Sequence, residues 1–200
     1  AILKGFGVPF QVLDRAAYLE YEPALALVKD KFIGALRLPG DETGDCFKFT
    51  QNLAKMAEAL GVSFRFGTTI AGIDHDGRRI TGVRTDAGTL SADHYVLALG
   101  SYSTQLLKPL GIDIPVYPVK GFSITVPITN AAMAPESTIM DETHKVAVTR
   151  LGDRIRVGGT AEIAGYDLTL HESRRGPLDR SLRELFPRAG DATKASSWCG

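Results

Sequence analysis

Residues 92–103, with the sequence ADHYVLALGSYS, carry the clearest signal for the fold class. Tyr95 to Leu99 is continuously apolar, which is typical of a strand buried on both faces of a sheet. Gly100 and Ser101 follow directly and lead into a helical pattern. The stretch therefore predicts a buried strand, a glycine turn and a helix N-terminus, in that order.

This arrangement has the physical properties of a nucleotide site. The first N–H groups of a helix have no partner inside the helix, and a glycine lets a ligand approach the backbone closely. On the turn alone, a plain strand-to-helix connection in an α/β domain remains the simpler interpretation. The chain has no Gly-x-Gly-x-x-Gly or Walker-type loop, so the usual cradle for a diphosphate is absent.

The segment before this run predicts a helix and a β-meander. Apolar residues recur at helical spacing from about residue 46 to residue 60, and we expect one face of that helix to pack against a sheet. Val62, Phe64 and Phe66 then alternate, as in a strand. Further apolar positions between residues 70 and 83, with turns at 76–77 and 86–88, complete the predicted meander.

The flanking segments predict short elements. Asp14 is positioned to cap a helix that Pro23 interrupts, and a strand runs from residue 34 into a polar loop that ends at residue 44. The strand pattern of residues 114–128 is interrupted at 117–121. The remaining predictions are a loop in the 130s, a β-hairpin over residues 146–157, and a last helix that follows Pro177 and ends at Pro187.

Composition excludes several classes of protein. The chain has 200 residues, is 44% hydrophobic and 23% charged, and balances 23 basic against 23 acidic side chains. This composition is typical of a globular chain and gives no charge excess that favours nucleic acid. No apolar stretch is long enough to cross a bilayer. The two cysteines lie far apart without a metal-binding spacing, which indicates a reducing compartment and no metal centre. Both ends of the sequence are expected to be cuts in a longer protein.

Three groups of polar residues are weaker candidates for chemistry. Lys120 lies between a proline and a glycine in a strand-like run and could point into a pocket, although most such lysines are solvated. The four histidines are scattered and are interpreted as surface residues. The acidic residues of the 41–45 loop could suit a cation or an amine, but a solvated acidic turn is the default interpretation.

Taken together, the motifs carry a resemblance. Their order is LPGDETGDC, a helix, GVSFRF, the meander, ADHYVLALGSYS, IPVYPVKGFSIT, DETHKVAVTR, RIRVGGTAEI and LFPRAG. This order resembles the D-amino acid oxidase-like family of flavoproteins, and within it the bacterial dehydrogenases that act on D-amino acids. The likeness spans nearly all 200 residues.

The resemblance implies a mixed α/β fold with two domains. Residues 45–112 would form part of a Rossmann-like FAD-binding domain with a β-meander. Residues 1–44 and 113–200 would form part of a substrate domain with a mixed or antiparallel sheet. The Gly-x-Gly-x-x-Gly element of the family would precede Ala1, and the arginine that grips the substrate carboxylate would follow Gly200.

The resemblance also implies site residues. On the cofactor side, Ile70 would lie at the adenine ring. The segment that passes the diphosphate would consist of Ala98, Leu99 and Gly100. Those on the substrate side are Lys120, Val146 and Val148. No catalytic side chain and no metal ligand are expected, because hydride transfer to flavin needs no side-chain base when the amine binds deprotonated.

The implied activity is oxidation of D-amino acids, such as D-alanine, to 2-oxo acids and ammonia. FAD is the implied cofactor, and a quinone or another respiratory-chain acceptor would take the electrons, with the parent protein in the cytoplasm or at the cytoplasmic face of the inner membrane. A glycine or sarcosine oxidase is the alternative within the same class. For the isolated chain, the alternative is a catalytically silent domain that binds no flavin tightly.

Overall fold

The computed structural model describes residues 2–200, which form two compact units. The first unit comprises the chain up to Asp45 together with Val119–Gly200, and the second is Cys46–Pro118. No helix among the described residues is both long and apolar enough to cross a membrane.

The elements are short and alternate along the chain. The α-helices of residues 2–200 are α1 (Ile2–Gly5), α2 (Arg15–Tyr21), α3 (Cys46–Ala59), α4 (Ser103–Leu107) and α5 (Glu172–Leu185). The strands of the same residues are β1 (Gln11–Asp14), β2 (Gly34–Arg37), β3 (Ile70–His75), β4 (Ile80–Thr85), β5 (Gly88–Leu90), β6 (Lys120–Pro127), β7 (Thr138–Asp141), β8 (Val146–Leu151), β9 (Arg154–Glu162) and β10 (Ser196–Cys199). Turns of 3-10 helix lie at Pro23–Lys31, Gly100–Tyr102, Lys108–Leu110, Ala131–Met133 and Ala192–Lys194.

A five-stranded antiparallel sheet forms the centre of the first unit. Its strand order is β10-β6-β9-β8-β7, so the chain returns twice to pair with β6. One face of the sheet is apolar and is buried along its central strands β6, β9 and β8, and α5 packs on it through Leu178, Leu182 and Leu185. Burial of each such leucine contributes about 1.5–3 kcal/mol. The core of this unit is built from the sheet and the α5 face, together with Tyr18 of α2 and Ala24 and Leu25 of the 3-10 turn that follows it.

Several sequence-based predictions for this unit are confirmed. The hairpin of β8 and β9 turns at Gly152, whose φ of 69° is one that glycine adopts without strain. Asp14 caps α2, accepting a hydrogen bond from the N–H of Ala17 at 2.9 Å, and a 3-10 turn begins at Pro23. The polar loop after β2 is also as predicted.

Other predictions for this unit are wrong. α5 begins at Glu172 and contains Pro177, so the proline does not precede the helix. The buried leucines of α5 outweigh the single backbone hydrogen bond that a proline removes. Strand β6 begins at Lys120, and residues 114–119 form no strand. β1 and β10 were not predicted, because four-residue strands with polar residues have no clear periodicity.

The second unit contains α3, the meander and α4. The meander is confirmed, with β3 paired to β4 and β4 to β5 in antiparallel register. The bounds predicted for α3 are also close to those observed. The prediction that α3 packs against a sheet is wrong, because none of its residues is buried.

Two predicted strands of the second unit are absent. Residues 62–66 form no strand, although the rings of Phe64 and Phe66 stack with their centroids 5.3 Å apart. Residues 95–99 form no strand either, and Val96 is 91% exposed. A strand exists only where a neighbouring strand accepts and donates its backbone hydrogen bonds, and no described residue provides that neighbour here.

Candidate functional site

The segment predicted to pass the cofactor lies in the second unit. Gly100 has a φ of 55°, in the left-handed region that glycine adopts without strain, and begins the 3-10 turn. A Cβ atom added to Gly100 would meet no atom within 4 Å, so one side of its backbone is open. Ala98 and Leu99 precede it outside any helix or strand, and Leu99 is 39% exposed. The 3-10 turn Gly100–Tyr102 continues directly into α4 at Ser103, so the prediction that Gly100 and Ser101 lead into a helix ending at Leu107 is confirmed.

The fourth candidate residue for cofactor binding, Ile70, lies in the meander. Ile70 begins β3 and pairs with Thr85, and a β-bulge follows between Ile70 and Gly72. The Ile70 side chain is 39% exposed. Ile70 therefore lies at an irregular strand end, where its backbone is less constrained by the ladder than that of an interior residue.

An apolar surface accompanies these residues in the second unit. The members of this surface are apolar side chains that are each more than half exposed: Phe47, Phe49, Leu53, Met56, Leu60, Phe66 and Val96. Large apolar side chains are more often buried than exposed in folded proteins, so this number of exposed ones in one unit is unusual. Within α3 these side chains keep the helical spacing of a buried face. The sequence pattern thus specifies a face that no described residue covers.

Lys120, the polar candidate on the substrate side, is buried in the first unit. Its side chain is 2% exposed, and its ammonium donates a hydrogen bond to the Thr169 carbonyl at 3.2 Å. It also lies 3.4 Å from a Glu162 carboxylate oxygen and 4.0 Å from an oxygen of Asp167. Hydrogen bonds from the side chain and N–H of Thr169 lower the pKa of Asp167. These contacts hold the 162–169 segment against the start of β6, a structural role that does not itself show substrate binding.

Val146 and Val148 are both completely buried. They lie on β8 and point into the core beneath the sheet, with Val157 paired to Val148 on β9. Lys145, just before β8, has a φ of 56°, which is uncommon for a residue with a side chain. The two valines therefore support the strand from its apolar side, and their assignment to a substrate pocket stays a prediction.

Two polar networks were missed by the sequence-based reasoning. Glu22 is 4% exposed, and its carboxylate accepts hydrogen bonds from the N–H groups of Glu136 and Ser137 at 2.9 and 2.6 Å and from the Ser137 hydroxyl at 2.5 Å. It anchors the loop before β7. The partners lie about 115 positions apart in sequence, so no local pattern could have indicated them.

The second missed network centres on Asp141 at the end of β7. Its carboxylate lies 2.8 Å from Nδ1 of His144 and accepts a hydrogen bond from the buried Ser181 hydroxyl at 2.9 Å. Burial raises the pKa of Asp141, but the hydrogen bonds from His144 and Ser181 outweigh burial and leave that pKa below its ordinary value. His144 is thus a half-buried partner of Asp141, contrary to its interpretation as a surface residue.

Two residues of the acidic loop before α3 make contacts with the five-stranded sheet. Asp45 forms an ion pair with Arg154, with 2.5 Å between Oδ2 and Nη2, and the Thr43 hydroxyl lies 2.7 Å from that of Thr138. Both contacts tie the loop to the five-stranded sheet. Part of the loop is therefore structural and not simply solvated.

Comparison with known proteins gives the family. The family model described as DAO, FAD dependent oxidoreductase, matches residues 1–200. The chain belongs to this family. Among curated relatives, it is 64% identical over 200 residues to a D-amino acid dehydrogenase of Bradyrhizobium diazoefficiens and 60% identical to one of Methylobacterium radiotolerans. All of the chain but only 48% of each relative is covered, so the chain spans about half the length of these DAO-family proteins.

Solved structures agree on the fold. Glycine oxidase from Geobacillus kaustophilus superposes with a TM-score of 0.80 at 25% identity, covering 99% of this chain and 52% of that one. L-proline dehydrogenase from P. horikoshii superposes with a TM-score of 0.76 at 22% identity, covering 100% and 54%. The mixed helix-and-sheet fold of this DAO-family chain is therefore that of flavoenzymes that oxidise amino acids.

Proposed function

We propose that the full-length protein containing this chain is an FAD-dependent dehydrogenase that oxidises D-amino acids to 2-oxo acids and ammonia. The observation that carries the proposal is the 64% identity to a D-amino acid dehydrogenase along the whole of the chain. Identity at this level preserves the backbone path of both units. The amino acid substrate and the FAD cofactor follow from the same relatives and from the DAO family.

We assign the second unit to the FAD domain and the first unit to the substrate domain. The open backbone at Gly100 fits a flat, phosphate-bearing ligand, because no side-chain atom would obstruct its approach. Gly100, Leu99 and Ala98 would then pass the diphosphate, and the backbone of Ile70 would contact the adenine. When bound, FAD supplies the acceptor for the hydride that leaves the substrate Cα.

On the substrate side, the residues of this chain position the pocket. Lys120 fixes the 162–169 segment by its buried contacts with Glu162 and Thr169. Val146 and Val148 hold β8 in place from the core side and offer the substrate no polar group. We therefore propose that these three residues shape the pocket wall, and that the group binding the substrate carboxylate comes from outside them.

Electrons are proposed to leave to a membrane quinone, with the parent protein resting on the cytoplasmic side of the inner membrane. The support for this step is the dehydrogenase name of the curated relatives, since a dehydrogenase uses an acceptor other than oxygen. The test is acceptor choice. Full-length protein given D-alanine should reduce a soluble quinone analogue much faster than it consumes oxygen, and the reverse order would contradict this step.

The substrate class is tested by dye reduction with full-length protein and four substrates, D-alanine, L-alanine, glycine and sarcosine. We expect D-alanine to give the largest kcat/KM and L-alanine to give none above background. The alternative, a glycine or sarcosine oxidase, is favoured by the similarity to the Geobacillus glycine oxidase structure. A preference for glycine or sarcosine would establish that alternative and refute the proposal.

For the isolated 200-residue chain, we propose a catalytically silent protein without tightly bound flavin. The uncovered apolar surface of the second unit supports this, because a dinucleotide pocket needs rigid walls and part of the surface around Gly100 is exposed. Dye reduction by the purified chain with added FAD and D-alanine should stay at background. Turnover comparable with that of the full-length protein would show that the chain is sufficient.

A further inference from the structure

The end of β9 contains a strained β-bulge. The pairing of β9 with β6 moves by one residue between Gly159 and Ala161, so Thr160 has no partner on β6. The φ of Thr160 is 58°, and the class of bulge that places its first residue in the left-handed region normally has glycine there. Such strain persists only where the surrounding structure imposes it, and it is concentrated at functional positions.

The bulge decides which face of the sheet Glu162 occupies. Side chains alternate between the faces along a strand, and paired residues of neighbouring strands share a face. Lys120 and Phe122 point to the core face and are 2% and 5% exposed. In a regular ladder Ala161 would pair with Lys120, and Glu162 would point to the opposite face. The extra residue, Thr160, pairs Glu162 with Lys120 instead and brings the carboxylate to the ammonium.

Glu162 lies between two cations that belong to different elements. Its Oε2 is 3.4 Å from Nζ of Lys120 on β6, and its Oε1 is 3.8 Å from Nη2 of Arg174 in α5. Oε2 is buried and has no hydrogen-bond partner among residues 2–200, so the Lys120 ammonium balances its charge. Removal of one partner of such a pair leaves an uncompensated charge in the protein.

The linker of residues 163–171, which connects β9 to α5, is held by the same end of the sheet. It contains no helix or strand. Lys120 donates a hydrogen bond to the Thr169 carbonyl at 3.2 Å, and the Cys199 thiol on β10 donates one to the Leu168 carbonyl at 3.2 Å. Two successive carbonyls of the linker are therefore bound by side chains of β6 and β10.

We propose that Thr160 and Glu162 are positioning residues for the oxidation proposed above. The bulge directs Glu162 to Lys120, and the ion pair holds the linker on the side of the first unit that we assign to the substrate. The location of the pocket rests on the proposed function, and the ion pair keeps this wall of the pocket in one conformation. Neither residue has to touch the substrate, because Glu162 acts through Lys120 and the linker.

The first test measures dye reduction by full-length protein with D-alanine. Glu162→Gln, which removes the charge and keeps the shape, should lower kcat/KM by about tenfold or more, because a displaced pocket wall misplaces the substrate. Glu172→Gln removes an exposed carboxylate in the first turn of α5 and is the matched control, with kcat/KM within about twofold of the wild type. Equal flavin absorbance in both variants separates the effect from loss of the cofactor.

Two changes at Thr160 test the bulge itself. Thr160→Gly allows the left-handed backbone without strain, whereas Thr160→Pro fixes φ at about −65° and cannot form this bulge. We expect kcat/KM of the proline variant to fall at least about tenfold below that of the glycine variant, as in Glu162→Gln. Far-UV circular dichroism establishes that each variant is folded.

A double variant separates positioning from stability. Lys120→Met/Glu162→Leu replaces the buried pair by apolar side chains, so the thermal midpoint should return to near that of the wild type. The linker still loses its hydrogen bond from Lys120. We therefore expect kcat/KM to stay about tenfold or more below the wild type and the amides of residues 163–171 to exchange with deuterium at least about tenfold faster.

Two results would overturn the positioning role. One is wild-type kcat/KM and wild-type linker exchange in Glu162→Gln, and the other is a double variant in which both the thermal midpoint and kcat/KM return to wild-type values. The second result would mean that the ion pair contributes stability alone. If the wild type itself fails to oxidise D-alanine, the proposed function is refuted, and linker exchange still shows whether the ion pair holds residues 163–171.

Discussion

The two units of this chain differ in how they use their apolar residues. In the first unit, the sheet and α5 bury theirs together, and Val126, Val148 and Val157 have no exposed surface. In the second unit, α3 has an equally regular apolar face, yet Leu53 is 52% exposed and no residue of the helix is buried. An amphipathic pattern therefore specifies a helix face that other residues should cover, and those residues need not be near in sequence. We propose that the rest of the parent protein supplies it.

The largest expected contrast is between matched leucines of the two units. Leu182→Ala in α5 removes a side chain that is 3% exposed and should cost about 2–5 kcal/mol in the free energy of unfolding. Leu53→Ala in α3 should change the stability of the isolated chain by no more than about 0.5 kcal/mol. Denaturant unfolding of the 200-residue chain measures both.

The same substitution in the full-length protein should have a larger effect. There, Leu53→Ala should cost about 2 kcal/mol or more, because the helix face would be covered. A small effect in both proteins would mean that the face stays exposed in the parent. A large effect in the isolated chain would mean that the second unit has its own core.

A second prediction concerns the buried carboxylate of the first unit. Glu22→Gln leaves the N–H groups of Glu136 and Ser137 with one good acceptor instead of a carboxylate, and should destabilise the chain by about 1–3 kcal/mol. Glu20→Gln, at an exposed position near the end of α2 and two residues before Glu22, is the control and should be neutral. Equal effects of the two changes in urea unfolding would exclude a specific role for Glu22.

The third prediction is a pH dependence in the same unit. The pKa of Asp141 is lower in the folded chain than its ordinary value of 3.8, so the folded state favours the ionised carboxylate. The resulting stabilisation is fully present above that value and is lost as the pH falls through the folded pKa. Asp141→Asn should therefore flatten the fall in unfolding free energy between neutral pH and about pH 3. An unchanged acid slope in this variant would show that other carboxylates determine it.

The smallest expected effect is a gain in stability at a β-bulge. Thr160 is the extra residue where the pairing between β6 and β9 shifts, and its φ of 58° is strained for a β-branched side chain. Thr160→Gly should stabilise the chain by about 1 kcal/mol through relief of that strain. Thr149→Gly, in regular strand β8, should destabilise it instead. A loss of stability in Thr160→Gly would mean that side-chain packing outweighs strain at this position.

Sequence patterns predicted local elements well and their surroundings poorly. The β8–β9 hairpin and the bounds of α3 follow from periodicity within a few residues, which depends only on neighbours in sequence. The prediction of a strand at residues 95–99 was wrong, because a strand needs a partner strand and the composition of a segment does not show whether one lies beside it.

The candidate site was predicted unevenly for the same reason. The turn at Gly100 is a local property and lies where its sequence indicated. The environment of Lys120 depends on Glu162 and Thr169, more than 40 positions away, and the buried Glu22 network joins residues still further apart. Only the resemblance to a family of known fold could supply such contacts.

Flavin content tests the central contrast most directly. Full-length protein and the 200-residue chain are purified in the same way, and the absorbance of each is compared at the flavin bands. We predict stoichiometric flavin in the full-length protein and none above background in the isolated chain. Stoichiometric flavin in the isolated chain would contradict the account, because the uncovered second unit would then be sufficient to hold the cofactor.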